Sequence, residues 1–435
     1  MNIGIIGLGF VGLCFASVLA SKGYKVVGID SDKQKIDNIK RGIPPFYEPK
    51  LEKFLKIALK KNFLVSTHNS SLRNCELVFL TVGTPQSNSG GIDLSVVKSA
   101  IEEIGKFLKK SKNKPCIVIK STIIPGTTRN LILPILERES SKTAGKEFGL
   151  ITNPEFLRES KAIDDAIKPH LVILGGTKNE FLKKLEKFYR NFHSKVPIII
   201  TNYETAELIK YANNSFLATK ISFINQIANI CQAIPGTNVE EVAEAIGYDP
   251  RIGKLFLNAG PGYGGSCLPK DMRALTNFAS SIGIEPTLLN AVEQINKNQI
   301  KNIVKLIEKS VGKIRQKNIS VLGVAFKPET DDVRDSVSIE LIKKLLKKNA
   351  RIILHDPKAL KNAKNVFGNK ITYANSIKNA LRNSHCCVIM TPWKQYTRLQ
   401  KNDLKVMKKR VVVDSRRILE KSGRGIEYYA VGIGP

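Results

Sequence analysis

With 435 residues, 42% of them apolar, the chain is long enough for two or three domains, each with its own core. Its seven cysteines are odd in number and include no C-x-x-C pair, which excludes a disulfide scaffold and points to free thiols in a reducing, cytoplasmic compartment; the five histidines are scattered and offer no metal site. A formal charge of +31 raises nucleic-acid binding, yet the lysines lie at solvent-facing spacing, as in KKLLKK (343–348), without interleaved aromatics, so a solvated basic surface that steers anionic substrates is the better reading.

The first 21 residues, Met1 to Ser21, carry no charge. A signal peptide would need a basic leading segment, and Gly4, Gly7, Gly9 and Gly12 interrupt the run, so a buried strand followed by a tight turn explains it better than a membrane anchor. IGIIGLG (3–9) and KVVGID (25–30) read as buried parallel strands joined by a helix over 11–22. Further strands follow at 76–82, 116–122, 148–153 and 170–176 with helical patterns between them, the signature of a doubly wound α/β domain. From Glu204 the texture becomes helical: residues 204–234 run without Gly, or Pro, and further helices are expected over 238–246 and 286–309. After residue 318 the alternation returns and echoes the start. NISVLGVAF (318–326) parallels NIGIIGLGF (2–10), RIILHD (351–356) parallels KVVGID, HCCVIMTP (385–392) parallels LVFLTVGTP (77–85), and RVVVDSR (410–416) parallels CIVIKST (116–122). The expected architecture is therefore two Rossmann-like domains, 1–200 and 313–435, flanking an all-helical domain over 201–312.

Gly7-Leu8-Gly9-Phe10-Val11-Gly12 is a G-x-G-x-x-G that follows a strand and opens a helix, and Asp30 ends the next strand 18 positions beyond Gly12. The glycines admit a pyrophosphate to the helix N-terminus, and a carboxylate at that strand end bonds a ribose 2′-hydroxyl. The negative charge favours NAD over NADP, although Lys33 and Lys35 stand nearby. The second α/β domain has Gly323-Val324-Ala325 at the equivalent turn and lacks the full fingerprint.

The segment GPGYGGSCLPKD (260–271) carries the reactive chemistry. Its glycines allow close approach to a ligand, and Pro269 suits the first turn of a helix, which puts Cys267 at a helix N-terminus where the dipole favours the thiolate. Asp271 falls on the same face four residues on, placed to handle a proton or a water. Cys386 and Cys387, inside an apolar strand, read as structural. Lys210 and Asn214, also four apart on the long helix, can both donate to one developing oxyanion, though spacing alone does not exclude a solvated lysine.

Together these segments resemble the UDP-glucose/GDP-mannose dehydrogenase family. The resemblance rests on Gly7–Gly12, VGTP (82–85), KSTIIPGTT (120–128), NPEFLRES (153–160), AELIKYANNSFLATKISFINQIA (206–228), GYGGSCLPKD (262–271) and GVAFKPETDDVRDS (323–336), spread over essentially the whole chain. It implies that Cys267 is a covalent nucleophile assisted by Asp271, that Lys210 and Asn214 stabilise oxyanions and touch substrate, and that Thr122 and Glu155 handle water and protons beside the cofactor. It assigns Phe10, Val11, Lys35, Val82, Thr84 and Arg334 to the dinucleotide. Phe156, Leu157, Arg158, Glu159, Phe256, Tyr263, Gly264, Lys327 and Arg416 fall at substrate positions, and Arg251, in DPRIG, at that of an arginine reaching a neighbouring subunit's substrate. The implied cofactor is NAD, the substrate a UDP-sugar, the assembly a homodimer or higher oligomer, with neither nucleic acid nor membrane as partner.

Within the family, KYANNSFLATKISFINQIA favours UDP-glucose over GDP-mannose, and NPEFLRES argues against UDP-N-acetylmannosamine. Asn258 and Ser160 depart from common family residues, a lysine and a glycine. Two rival readings are a β-hydroxyacid dehydrogenase, which needs neither Cys267 nor residues 318–435, and a nucleotide-binding regulator without turnover, which would not need Cys267, Asp271, Lys210 and Asn214 together.

Overall fold

Short apolar runs without charge can be satisfied only when both faces of a strand are covered, and the chain follows that rule. In the computed structural model, which describes residues 1–87, 90–419 and 425–435, the runs LVFL, CIVI, GLIT and VILG are strands buried along their whole length. The chain divides into two compact units, Met1–Asn213 and Asn214–Pro435.

The first unit holds an eight-stranded sheet: β1 (Asn2–Ile6), β2 (Lys25–Ile29), β3 (Phe63–Ser66), β4 (Leu77–Leu80), β5 (Cys116–Ile119), β6 (Gly149–Thr152), β7 (Val172–Gly175) and β8 (Ile198–Thr201). Their order is β3-β2-β1-β4-β5-β6-β7-β8, and every pairing is parallel except β6 with β7, which meet antiparallel at Thr152 and Gly175. The order reverses between β1 and β4, opening a crevice at the carboxyl ends of those strands, where ligands bind in such sheets. The uncharged opening is β1 plus the helix Phe10–Ser21, which is buried from Gly12 through Ala20 between sheet and neighbouring helices. No helix among the described residues is long and apolar enough to cross a membrane.

The second unit holds a six-stranded parallel sheet: β9 (Asn318–Leu322), β10 (Arg351–His355), β11 (Thr372–Tyr373), β12 (Cys386–Ile389), β13 (Val411–Asp414) and β14 (Glu427–Ala430), in the order β11-β10-β9-β12-β13-β14. The four echoed segments occupy equivalent places in the two sheets, even in register: Asn2 pairs with Lys25 as Asn318 pairs with Arg351. The expected fold of two Rossmann-like sheets with a helical region between them in sequence is what is found. Strands β3, β8, β11 and β14 escaped the sequence reading. Each is an edge-ward strand of four residues or fewer, and FLVS and IIIT leave part of their length exposed, so neither a long apolar run nor a clean alternation announces them.

Between the sheets in sequence lie the helices Tyr203–Cys231, Val239–Gly247, Leu268–Ser281 and Thr287–Val311. The first, of 29 residues, ends four residues before Pro235, and Asn238 caps the second by accepting from the Glu240 N–H.

Candidate active site

The glycine turn after β1 is built as its pattern demands. Gly7 has φ +92°, and its N–H donates to the Ile29 carbonyl at 2.8 Å. A Cβ on Gly12 would lie 1.9 Å from the Gly7 carbonyl oxygen, so the helix can start this close to the strand only with glycine there. A Cβ on Gly9, in contrast, would meet no protein atom within 4 Å; that position faces open space, as a cradle for a pyrophosphate requires. Thr81 closes the turn from β4, its hydroxyl donating to the carbonyls of Ile6 and Gly7. The adjoining cavity, about 570 Å³, is lined by Gly7, Gly9, Asp30, Lys35 and Val82 among the expected residues, and by Thr67, Asn69, Ser95, Ser99 and Glu103, which no motif marks.

Asp30 does more than face the cavity. Its Oδ2 accepts from the Leu8 N–H at 2.8 Å and from Lys35 Nζ at 2.9 Å, and its Oδ1 accepts from the Asp32 N–H. The carboxylate thus pins the glycine turn to the end of β2. The second sheet repeats the pin and goes further. Asp356 Oδ2 accepts from the N–H groups of Val324 and Ala325 and from the indole of Trp393, and Oδ1 from Lys358 and Ala359. With both oxygens so engaged and the side chain buried, Asp356 has no edge left for a ribose. Thr391 copies Thr81, donating to the Ala325 carbonyl.

Other expected cofactor residues sit on the frame of the turn: Phe10 packs against Phe46, Val11 is half-buried in the first helical turn, and Thr84 is buried. Thr122 lies half-buried just past β5.

A buried polar cluster follows β5 and β6. Glu155 Oε1 accepts from Lys210 Nζ at 3.1 Å, both side chains being under a tenth exposed, and the ammonium stands 5.2 Å from the centre of the Phe156 ring. Beside them Lys120 donates to Asn153 Oδ1 at 3.1 Å, an atom that also accepts from the Tyr189 hydroxyl. Burial pushes the Lys120 ammonium down to about 8, partly opposed by Glu155. Lys120, inside a motif read only as a resemblance, was missed because a lysine in a lysine-rich chain carries no signal by itself. Glu207, one turn before Lys210, was missed too. It accepts from the N–H groups of Gly126 and Thr128, and burial raises its carboxyl to about 7. Of the segment 156–159, Leu157 packs against the core, Arg158 forks onto Asp165 through two bonds, and Glu159 is buried.

In the second unit Cys267 is the N-cap of the helix Leu268–Ser281, with Pro269 in its first turn, and it alone of the seven cysteines is exposed. Burial raises the thiols of Cys14, Cys75, Cys116, Cys386 and Cys387, so those sulfurs stay protonated and inert. Asp271, almost wholly buried, donates its N–H to the Cys267 carbonyl, and its carboxylate accepts from Asn214 Nδ2 at 2.6 Å and Lys270 Nζ at 2.7 Å. Two side chains thus hold Asp271 one turn below the thiol. The glycines before Cys267 are tightly packed within the chain: a Cβ on Gly264 would lie 2.3 Å from the Asp335 carbonyl oxygen, and one on Gly265 would lie 2.5 Å from the Phe326 ring. They are small because protein packs against them.

The remaining expected residues are dispersed. Tyr263 is buried, Phe256 is partly exposed with φ +66°, and Lys327 stands over the Phe326 ring. Arg251 and Arg334 are exposed and each forks onto the acid two residues before it, Asp249 and Asp332. Arg416 donates to the Met390 carbonyl, and burial draws its guanidinium down to about 10. It lines a cavity of about 380 Å³ with Lys254, Leu257, Asn258, Ala259 and Arg417, the last tied to Glu240. Among the described residues no group of three or more His, Cys, Asp or Glu is placed to hold a metal ion.

Three family models match in succession: the NAD binding domain of the UDP-glucose/GDP-mannose dehydrogenase family over residues 1–193, its central domain over 204–298 and its UDP binding domain over 320–421. A UDP-glucose 6-dehydrogenase from Rickettsia felis is 40% identical, covering 99% of this chain and 96% of its own. Among solved structures, a UDP-glucose dehydrogenase from the hyperthermophilic archaeon Pyrobaculum islandicum superposes with TM-score 0.93 at 34% identity, covering 99% of this chain and 98% of that one. A UDP-D-ManNAc dehydrogenase from Pyrococcus horikoshii gives TM-score 0.86 at 26% identity, with 99% of each chain covered.

Proposed function

Because the chain belongs to the UDP-glucose/GDP-mannose dehydrogenase family, we propose that it oxidises UDP-glucose to UDP-glucuronate in two NAD-dependent steps with Cys267 as covalent nucleophile. The observation that carries the covalent step is the single exposed thiol, capping a helix above a buried aspartate that two side chains hold in place. The fit of NAD rests on the open face at Gly9, the pinned turn at Gly7 and the adjoining cavity.

NAD, held at the turn of Gly7, Gly9 and Asp30, would supply the hydride acceptor for the sugar's hydroxymethyl carbon in each of two oxidations, the hydroxyl proton of the first passing to water beside Glu155. After the first oxidation the Cys267 sulfur adds to the aldehyde carbon, its electron pair forming the C–S bond while the carbonyl oxygen becomes an alkoxide. Lys210, oriented by Glu155, and Asn214, oriented by Asp271, are the donors for that oxygen. Loss of the second hydride leaves a thioester. Water then adds to its carbonyl carbon, the C–S bond breaks, and the thiolate leaves as the carboxylate forms; Thr122 and Glu155 serve the water and its proton. Lys35 and Arg334 serve the dinucleotide, and Phe156, Leu157, Arg158, Glu159, Phe256, Tyr263, Gly264, Lys327 and Arg416 the sugar nucleotide.

The working assembly is a homodimer or larger, through the helical domain 201–312. Support comes from Phe216, Phe223 and Ile230, which stand exposed at seven-residue spacing on one face of the helix Tyr203–Cys231. A chain whose chemistry depends on a free thiol belongs in the reducing cytoplasm. The test is steady-state turnover on a panel of UDP-glucose, UDP-N-acetylmannosamine and GDP-mannose. UDP-glucose should be preferred, with about two NADH formed per sugar consumed; one NADH with an accumulating keto-sugar would overturn the reading.

A further inference from the structure

The peptide of Gly260 is buried, and both of its polar groups are met by side-chain amides. Its N–H donates to Asn225 Oδ1 at 2.8 Å, and its carbonyl accepts from Gln299 Nε2 at 2.9 Å. Three residues on, Asn296 treats Tyr263 as a strand partner would: Oδ1 accepts from the Tyr263 N–H at 2.8 Å, and Nδ2 donates to its carbonyl at 3.0 Å. Asn225 comes from the helix Tyr203–Cys231, whereas Asn296 and Gln299 stand three apart on one face of the helix Thr287–Val311. Asn225 and Gln299 have no measurable exposure. Asparagine is a poor helix former, and a buried amide is unfavourable unless bonded, so these residues are not there to build helices or core.

The loop is shaped to the amides. Gly262 has φ +104°, and a Cβ there would lie 2.5 Å from Asn296 Oδ1. Gln299 is itself held, its Oε1 accepting from Asn229 and Asn302. The segment so gripped runs straight into Cys267, only four residues after Tyr263.

We propose that Asn225, Asn296 and Gln299 form a clamp that positions the 260–267 loop, and through it the Cys267 thiol, for attack. They are positioning residues and touch no substrate. The importance of the thiol rests on the covalent reading above, but the clamp is tested on the thiol itself, without turnover.

The clamp predicts opposite outcomes for the same chemical change. At position 225 the amide only accepts from Gly260, and its Nδ2 has no hydrogen-bond partner, so Asn225→Asp keeps the bond in either protonation state. At position 299 the amide must donate, so Gln299→Leu opens the clamp at any pH, and Gln299→Glu opens it once ionised, since a protonated carboxyl can still donate to the Gly260 carbonyl. The experiment is iodoacetamide alkylation of Cys267, followed by mass spectrometry of its peptide from pH 6 to 9, with kcat and KM measured in parallel. Asn225→Ala and Gln299→Leu should change the alkylation rate about tenfold, move its pH midpoint, and lower kcat by about tenfold or more with little change in KM for NAD, since small misplacements of a reacting atom are amplified. Asn225→Asp should recover most of what Asn225→Ala loses. Gln299→Glu should show the same loss toward pH 9 where its carboxyl is ionised, and approach the parent where it is protonated. If Asn225→Asp and Gln299→Leu behave alike, or all variants alkylate as the parent does, the clamp is refuted. Should Cys267→Ser instead turn over fully, the covalent reading fails while the alkylation result still decides the clamp.

Discussion

Replacing Asp30 by alanine perturbs cofactor choice and the glycine turn at once, and the structure separates the two effects. If, as proposed, the carboxylate accepts from a ribose 2′-hydroxyl at the end of β2, a hydrogen bond to a charged acceptor is worth about 1.5–3 kcal/mol, or roughly 10- to 150-fold in kcat/KM for NAD. Lys35, 2.9 Å from Asp30 and about a quarter exposed, loses its partner in the variant and is released toward a 2′-phosphate. Solvent screening limits that gain to about 1 kcal/mol, roughly fivefold in favour of NADP. The NAD-to-NADP ratio of kcat/KM should therefore drop by roughly 50- to 750-fold. Lys35→Ala should move the ratio the other way, since the Asp30 charge then meets a phosphate uncompensated. The Leu8 N–H also loses its acceptor, so Asp30→Ala should unfold at a lower temperature, whereas Asp30→Asn keeps an oxygen for that N–H and should change the ratio with less loss of stability. Initial rates at 340 nm with saturating UDP-glucose, paired with thermal melts, measure both. A ratio unchanged within twofold in a folded Asp30→Ala protein would show that the ribose is read elsewhere.

Cys267→Ser should arrest the reaction after the first oxidation, yielding about one NADH per sugar or fewer in a single-turnover burst; a full second equivalent would remove the thiol from the pathway. For Glu207, whose carboxyl is raised to about 7 by burial, the protonated form is the one the fold favours. Its contribution is complete below the ordinary carboxylate range and is lost as pH rises through about 7, a change of about 3 kcal/mol. Wild type should thus lose thermal stability between pH 5 and 8 relative to Glu207→Gln, and parallel melting curves would contradict this. Arg251→Ala and Cys267→Ser proteins, co-expressed and randomly paired, should regain about a quarter of wild-type sites, since half the dimers are mixed and each holds one intact site; no gain over the separate mutants would place Arg251 within its own chain.

Much of the dinucleotide half was legible because its chemistry lives in the backbone. A glycine turn between strand and helix has few solutions, and Gly7, Gly12 and Asp30 stand where spacing put them. The thiol was legible for a similar reason: Cys267 before Leu268-Pro269 has the grammar of a helix start. What sequence could not reveal is what each polar group is bonded to. Arg158, Arg251 and Arg334 look like ligands' hands in a motif, yet each is folded onto a nearby acid. Asn225, Asn296 and Gln299 look like ordinary helix-surface amides, and only the packing shows them turned inward against a loop 33 to 39 residues away in sequence. The glycine spacing of 260–265 announces close approach but not that Asp335, Phe326 and Asn296 are what press against Gly264, Gly265 and Gly262.

The two turns pinned by Asp30 and Asp356 also divide the thermodynamics of the chain. In the second sheet the acid is saturated by five internal donors, four backbone N–H groups and the Trp393 indole, so that turn is complete without any ligand. In the first sheet the same corner faces a cavity, so an occupant of that cavity adds stability, growing for NAD as RT ln(1 + [NAD]/Kd). On the proposed reading, NAD would act on the durability of the first repeat and leave that of its twin unchanged. A falling cofactor level would loosen the glycine turn first, exposing β1 and its uncharged helix to proteases while the carboxyl-terminal repeat stays closed.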